Sequence, residues 1–196
     1  MKKINLAVFV SGNGTNCENI IRHFQGSKQV CIRLVISNRQ DAYALTRAQN
    51  LGVETLVVDR TTLNAPSFAS LLKDTCNIDF IVLAGFLLKI PTDLVAAYSH
   101  RMINLHPALL PKFGGMGMYG HHVHEAVKAA HERETGMTVH WVSDDVDGGE
   151  IIAQYRTPIA ETDSPEDIAA KEHVLEMRHF PEVIARVLRE TFPNEG

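Results

Sequence analysis

The stretch INLAVFVSGNGTN, residues 4–16, decides the fold, because it joins a buried strand to a glycine turn and the start of a helix. Ile4–Val10 is apolar apart from Asn5, which predicts a buried strand. The apolar residues that follow are spaced as on one face of a helix packed on a sheet: Cys17, Ile20, Ile21 and Phe24. A strand, a tight turn and an amphipathic helix in this order predict the first unit of a parallel α/β sheet.

The same alternation continues through the first half of the chain. Further buried strands are predicted over Cys31–Ile36, Val53–Val58, Phe80–Ala84 and Met102–Leu105. Helical patterns cover Asn16–Phe24, Ala42–Leu51, Pro66–Thr75 and Thr92–Tyr98, and Gly52 is placed to end the second of them. Strands that alternate with helices imply parallel pairing with right-handed crossovers.

The rhythm changes after Leu105. The loop His106–Gly120 and a helix over Val123–His131 lead to two apolar segments, Met137–Val142 and Ile151–Tyr155. The turn between these segments, residues 144–149, reads DDVDGG. Two short apolar segments joined by such a turn predict an antiparallel addition to the sheet.

A last helix is predicted to begin at Ser164, because Pro165 and two acidic residues follow this capping serine. We expect it to be kinked or broken near Pro181, because proline removes a helical hydrogen bond. The patterns together predict a single-domain, Rossmann-like α/β fold. It has a mostly parallel sheet with helices on both faces and an antiparallel C-terminal addition.

The bulk properties narrow the class of protein. A chain of 196 residues suits one domain over residues 1–196. The formal net charge of −4 argues against a nucleic-acid surface. The cysteines Cys17, Cys31 and Cys76 fit neither a disulfide framework nor a zinc ribbon, so a cytoplasmic setting is the simplest. No apolar run approaches the about 20 residues that span a bilayer, so we expect no membrane partner.

The loop SGNGTN, residues 11–16, is a candidate phosphate site. Its glycines let the backbone turn tightly, and the free amides of a helix start favour an anion. Thr15 and Glu18 have the spacing of a capping box. The loop is neither a P-loop nor a dinucleotide fingerprint, since no Gly-Lys-Ser/Thr follows and Cys17 occupies the third glycine position. A tight turn with a capped helix explains the same residues without a ligand.

Asn104 and His106 are the candidate catalytic pair. They lie two residues apart at the carboxyl end of a predicted buried strand, where open α/β sheets bind ligands, so both can face one pocket. An asparagine amide can stabilise an oxyanion, and a histidine can move a proton near neutral pH. A single histidine at a strand end is otherwise a structural residue.

Asp147 is the third candidate. Asp-Gly-Gly is ordinary turn chemistry, so a purely structural role is the alternative. A carboxylate near His106 would raise the pKa of the imidazole and fix its orientation. The sequence alone does not place the two side chains in contact.

The motifs SGNGTN (11–16), LAGF (83–86), NLHPALLPK (104–112) and DGG (147–149) resemble, in content and order, those of phosphoribosylglycinamide formyltransferases. The resemblance covers nearly the whole chain. It implies the formyltransferase fold and transfer of a formyl group from 10-formyltetrahydrofolate to the amine of N1-(5-phospho-D-ribosyl)glycinamide, in de novo purine biosynthesis. The N-terminal half would bind phosphate, and the C-terminal half would bind folate and carry catalysis, with no metal.

The resemblance also assigns roles to individual residues. Gly14, Thr15 and Asn16 would hold the substrate phosphate, and Glu176 would bind its ribose. The segment Leu87, Leu88, Lys89 and Ile90, together with Asn104, would line the folate pocket. Asn104 would donate to the oxyanion, His106 would donate the proton, and Asp147 would raise the pKa of His106.

Three features depart from the family pattern. Leu87-Leu88 stands where many members have Met-Arg, and Ala65 lies near the place of a folate-binding arginine. The segment Gly114–Gly120 is longer and richer in glycine than in many members. The histidines His121, His122 and His124 match no zinc pattern, and we expect them at the surface or at a pocket rim.

Two other functions fit the same pattern. A formyltetrahydrofolate hydrolase would use water as the acceptor, and it usually carries an additional regulatory domain. A non-catalytic nucleotide-binding α/β module would need the sheet edge but not the combination of Asn104, His106 and Asp147. For the transferase, we expect small-molecule substrates as the partners and a monomer or homodimer as the assembly.

Overall fold

The computed structural model describes residues 3–193 and contains one sheet of seven strands. These are β1 (Ile4–Val10), β2 (Val30–Ser37), β3 (Glu54–Val57), β4 (Phe80–Leu83), β5 (Met102–His106), β6 (Glu134–Trp141) and β7 (Ile151–Pro158). They lie in the order β3-β2-β1-β4-β5-β6-β7. The pairs from β3 to β5 are parallel, and β6 and β7 are added antiparallel. The predicted fold class is confirmed.

The helices are α1 (Thr15–Phe24), α2 (Tyr43–Asn50), α3 (Arg60–Leu63), α4 (Ser67–Ser70), α5 (Thr92–Ala97), α6 (His121–Ala129) and α7 (Pro165–Thr191). The helix predicted over Pro66–Thr75 is the short α4 followed by a π-helical turn at Leu71–Thr75. Gly52 ends α2 with a left-handed φ of 74°, as predicted. Within the described part of the chain, no helix is long and apolar enough to span a membrane.

Strand β1 is apolar apart from Asn5 because both of its faces are covered. Leu6 and Val8 pack in one buried cluster that includes residues of α1 and α7. Ala7 and Phe9 point to the opposite face and pack in a second cluster beneath α4 and α5. Burying one such large side chain contributes about 1.5–3 kcal/mol, so the two clusters hold the carboxyl end of β1 in place between its neighbours.

Of the kink or break predicted near Pro181, the break is wrong, because α7 is continuous over Pro165–Thr191 and Pro181 lies inside it, buried. Proline has no N–H, so the carbonyl of Met177, four residues earlier, loses its usual helical donor. The Nδ2 of Asn19, on α1, donates to that carbonyl at 2.7 Å. A side chain from a neighbouring helix therefore replaces the missing backbone bond.

We expect Asn19→Ala to lower the free energy of unfolding by about 1–3 kcal/mol, because it leaves a partly buried carbonyl without a donor. Pro181→Ala restores an N–H that can bond the same carbonyl. In that background the cost of Asn19→Ala should therefore fall by about 1 kcal/mol. Urea unfolding of the four proteins in this double-mutant cycle measures both values. An equal cost of Asn19→Ala in the two backgrounds would show that Asn19 does not compensate for the proline.

Candidate active site

The carboxyl end of β5 presents Asn104 and His106 on the same face, and both reach Asp147. Asn104 Nδ2 donates to Asp147 Oδ1 at 3.3 Å, and His106 Nδ1 lies 3.4 Å from Asp147 Oδ2. His106 is 3% exposed, so these contacts form away from bulk water. The turn between β6 and β7 thus carries Asp147 back to the end of β5, and the structure brings the three candidate residues together.

His140 belongs to the same cluster, and sequence reasoning missed it. It pairs with Asn104 in the β5–β6 register and is buried. Asn104 Nδ2 lies 3.0 Å from His140 Nε2, and His140 Nδ1 lies 2.9 Å from the carbonyl of Trp141. A carbonyl only accepts, so Nδ1 carries a proton and Nε2 accepts from the amide. The available signal was the position of His140 in a predicted strand, but its register against β5 was not readable.

Asp147 sits in a backbone conformation that few residues adopt. Its φ is +56°, in the left-handed region that Asp, Asn and Gly tolerate best. The amide N–H of Gly115 donates to its Oδ2 at 3.0 Å. Burial would raise the pKa of Asp147, but its contact with His140, the charge of His106 and the Gly115 amide hold it below its ordinary value. Asp147 is therefore ionised at neutral pH.

Both ring nitrogens of His106 face acceptors. Nε2 lies 2.7 Å from the carbonyl of Phe113, and Nδ1 faces the Asp147 carboxylate. Only the imidazolium can donate to both. Burial nevertheless lowers the pKa of His106 below its ordinary value, and the charge of Asp147 and the Phe113 carbonyl offset part of that decrease. Asp147 acts in the predicted direction, but burial has the larger effect.

The glycine-rich loop packs directly on this cluster, which gives the Gly114–Gly120 segment a place in the site. Phe113 has a left-handed φ of +55°, which turns its carbonyl toward His106. A Cβ on Gly114 would lie 2.5 Å from Leu110 Cδ2 and 3.3 Å from Asp147 Cβ. A side chain at position 114 would therefore have to displace the end of the Leu110 side chain and would crowd Asp147.

The loop 11–16 opens α1 differently from the expected capping box. Gly14, not Thr15, is the N-cap, and no side chain in the described structure caps this helix start. Glu18 instead pairs with Arg22 and Arg47. The first bond of the helix runs from the Glu18 N–H to the Gly14 carbonyl at 2.9 Å. The amides of residues 15–17 therefore have no intrahelical partner and remain suited to an anion.

Two neighbours fix the shape of this loop. Gly14 has a φ of 77°, and a Cβ there would lie 2.3 Å from Ala44 Cβ. Arg47, on α2, donates through Nε to the Asn13 carbonyl at 2.9 Å and through Nη2 to Asn13 Oδ1 at 3.0 Å. Helix α2 thus holds the loop from the side, and Gly14 is required for its backbone whatever it binds.

Glu176 of α7 meets the loop at Asn16. Asn16 Nδ2 donates to Glu176 Oε2 at 2.8 Å, and His173 Nδ1 lies 3.3 Å from the same oxygen. The hydrogen bond to Glu176 raises the pKa of His173. Asn16 Oδ1 is buried without a hydrogen-bond partner, so it is open to a donor from a ligand. The two predicted substrate-binding positions are therefore adjacent, although 160 residues separate them.

The predicted folate wall follows β4. Leu87 and Lys89 are exposed, and Leu88 is half-buried. Ile90 is 5% exposed and packs in the second core cluster, so its side chain does not line a surface. The segment therefore offers three side chains and its backbone to a ligand.

The three histidines near Gly120 do not behave alike. His121 and His122 are exposed beside Glu125. His124 is buried, contrary to expectation, with Nδ1 2.8 Å from Glu172 Oε2. The other carboxylate oxygen of Glu172 accepts from Thr135 Oγ1. Within residues 3–193, no group of three or more His, Cys, Asp or Glu side chains is arranged to hold a metal ion.

The amino-acid sequence is similar to those of known formyltransferases. A family model described as formyl transferase matches residues 4–184. A chloroplastic phosphoribosylglycinamide formyltransferase of Arabidopsis thaliana is 35% identical over an alignment of 196 positions, which covers 96% of this chain and 67% of that protein. The enzyme of the same name from Escherichia coli strain K12 is 35% identical over 192 residues, with 93% and 86% covered.

The fold is also similar to solved structures of proteins with the same name. The phosphoribosylglycinamide formyltransferase of Anaplasma phagocytophilum superposes with a TM-score of 0.86 at 32% identity, covering 96% of this chain and 89% of that one. The structure from Coxiella burnetii gives 0.80 at 41% identity, covering 93% and 86%. The chain belongs to the formyl transferase family. The relatives named here all carry the name phosphoribosylglycinamide formyltransferase.

Asp147→Asn should lower the pKa of His106 further, because it removes the negative charge that favours the imidazolium. Asparagine tolerates the same left-handed φ, so the fold should persist. Direct titration of the His106 imidazole by NMR measures the effect. An unchanged His106 titration in a folded Asp147→Asn variant would leave Asp147 as a turn residue only.

The lowered pKa of His106 makes the stability of the protein depend on pH. The folded protein binds fewer protons at His106 than the unfolded chain, whose histidine titrates near 6.5. The contribution of His106 to the free energy of unfolding is therefore present above that pH. It is lost as the pH falls toward the pKa that His106 has in the folded protein. In Asp147→Asn the pH range over which this stability is lost should extend to lower pH, because the pKa of folded His106 is lower. Unfolding curves at several pH values would show this.

Proposed function

We propose that this chain is a phosphoribosylglycinamide formyltransferase, which transfers a formyl group from 10-formyltetrahydrofolate to the amine of N1-(5-phospho-D-ribosyl)glycinamide. The observation that carries the proposal is the Asp147 carboxylate shared by Asn104 and His106 at the carboxyl end of β5. The phosphate of the acceptor would lie at the start of α1, near the switch point of the sheet. The names of the relatives support the same activity.

The reaction needs proton movement and stabilisation of a developing oxyanion. A C–N bond forms between the amine and the formyl carbon, and the bond from that carbon to the folate nitrogen breaks. The amine loses a proton, and the departing nitrogen gains one. His106 is suited to this transfer because burial favours its neutral form, which accepts a proton, while Asp147 stabilises the protonated form. Positioned proton transfer contributes about 10²–10⁴ in rate.

Asn104 would stabilise the oxyanion through Nδ2. In the structure its two amide hydrogens face His140 at 3.0 Å and Asp147 at 3.3 Å. A substrate oxygen can take the hydrogen that faces Asp147, at the longer of the two contacts, in place of the carboxylate. One such donor is worth about 3–4 kcal/mol in the transition state. The shorter contact keeps the amide aligned while this exchange occurs.

The acceptor distinguishes this proposal from its alternatives. A hydrolase would release formate from the folate without the ribonucleotide, and a binding module would turn over neither substrate. Asn16, Glu176 and the open amides of residues 15–17 favour a phosphorylated acceptor over water. We place this reaction in the cytoplasm, in keeping with three cysteines that are all free.

His106→Ala should lower kcat by at least about 10², because it removes the group that moves the proton. Steady-state assays with both substrates measure this effect, with His23→Ala, an exposed histidine on α1, as the control. Thermal melting should be close to that of the parent protein. A folded His106→Ala variant with near-parental kcat would remove His106 from the mechanism.

Asn16→Ala should raise KM for the ribonucleotide by about 10-fold or more while changing KM for the folate little, because it removes the open acceptor Oδ1 and the amide that holds Glu176 in place. This variant is a better test than Gly14→Val, whose side chain would collide with Ala44 in the absence of any ligand. The exposed Asn50, at the end of α2, gives a matched control in Asn50→Ala. Equal changes in the two KM values would indicate general distortion.

A further inference from the structure

The two proposed substrate sites lie on opposite sides of one crevice. The strand order reverses direction between β1 and β4, so their carboxyl ends form the switch point of the sheet. The loop 11–16 leaves β1 on one side of it. The segment Leu87–Ile90, which follows β4, lies on the other. A group that bridges these two connections can link events at the two sites.

The hydroxyl of Ser11 is such a bridge. Ser11 is the first residue after β1 and is 2% exposed. Its Oγ accepts a hydrogen bond from the Leu87 N–H at 2.8 Å and donates to Asn38 Oδ1, at the end of β2. One buried hydroxyl therefore contacts the connections that follow β1, β2 and β4.

A second contact fixes the same segment to β1. The ring of Phe86 packs edge-to-face on Phe9, with centroids 5.2 Å apart. The aromatic contact sets the distance of the segment from the sheet, and the Leu87 N–H to Ser11 bond sets its position along the crevice. The side chain of Leu87 itself is 46% exposed, so its backbone amide holds the segment there and its side chain does not.

We infer that Ser11 is a positioning residue that couples the two substrate sites, so that binding of the phosphorylated acceptor strengthens binding of the folate, and the reverse. A phosphate held at residues 14–16 fixes the loop that Ser11 begins. Through the Leu87 amide, the same hydroxyl then fixes the folate wall. This inference rests on the proposed function, because it presupposes both ligands.

Calorimetry tests the coupling. The affinity of a folate that lacks a transferable formyl group is measured with and without saturating ribonucleotide, in the parent protein and in Ser11→Ala. In the parent protein we expect the ratio of the two affinities to be about five or more, within the range typical of coupled sites. In Ser11→Ala the ratio should approach one, while each affinity measured alone changes less than about three-fold.

Two further variants sharpen the result. Asn38→Ala removes the other partner of the same hydroxyl but leaves the Leu87 bond, so it should keep most of the coupling. Ser11→Cys keeps a γ atom in the site and weakens both hydrogen bonds, so it should also lower the ratio and serves if the alanine variant unfolds. The exposed Ser99 gives a neutral control in Ser99→Ala.

The outcomes separate the two claims. A parent protein that binds neither ligand would overturn the proposed function. A parent protein that binds both with a ratio of one, or a Ser11→Ala variant with the parental ratio, would overturn the coupling and leave the proposed function standing.

Discussion

The candidate active site depends on one buried carboxylate, that of Asp147. It faces Asn104 and His106 from β5, His140 from β6 and the Gly115 amide from the glycine-rich loop. A carboxylate removed from water is costly unless polar groups surround it. The turn that carries Asp147 must therefore meet β5, β6 and the glycine-rich loop for the fold to accommodate the charge. The same requirement fixes the two strand-end side chains relative to each other. The contacts that stabilise the buried carboxylate are therefore the same contacts that assemble the candidate active site.

Sequence periodicity predicted the strands, the antiparallel addition and the position of Asn104 and His106 at a strand end, because these follow from local patterns and one rule of sheet topology. The contact with Asp147 followed only from the family resemblance. The position of His140 beside Asn104 depends on the β5–β6 register. The burial of His124 depends on Glu172, in a helix that is distant in the sequence. No local pattern contains that information, so such features could not be predicted.

Helix α7 shows how a local rule fails for a tertiary reason. Pro181 predicts a break, but Asn19 supplies the lost hydrogen bond from 158 residues away, counted to Met177. One helical turn before Asn19 on α1, Asn16 meets Glu176. The contact that compensates for the proline and the contact between Asn16 and Glu176 thus lie side by side. Packing of the last helix on the first one both preserves α7 and brings Glu176 to the loop 11–16, the proposed phosphate site.

The pKa of His106 is set by opposing effects, of which burial is the largest. Burial lowers the pKa, whereas Asp147 and the Phe113 carbonyl raise it. A group in such a balance responds to any new charge nearby. An oxyanion that develops beside the imidazole adds a second negative charge in a site with little water, where electrostatic interactions are strong. In the proposed reaction, His106 would gain a proton as the oxyanion forms and lose it as the oxyanion collapses. The burial that disfavours the charged imidazole in the free protein would then strengthen its attraction to the oxyanion.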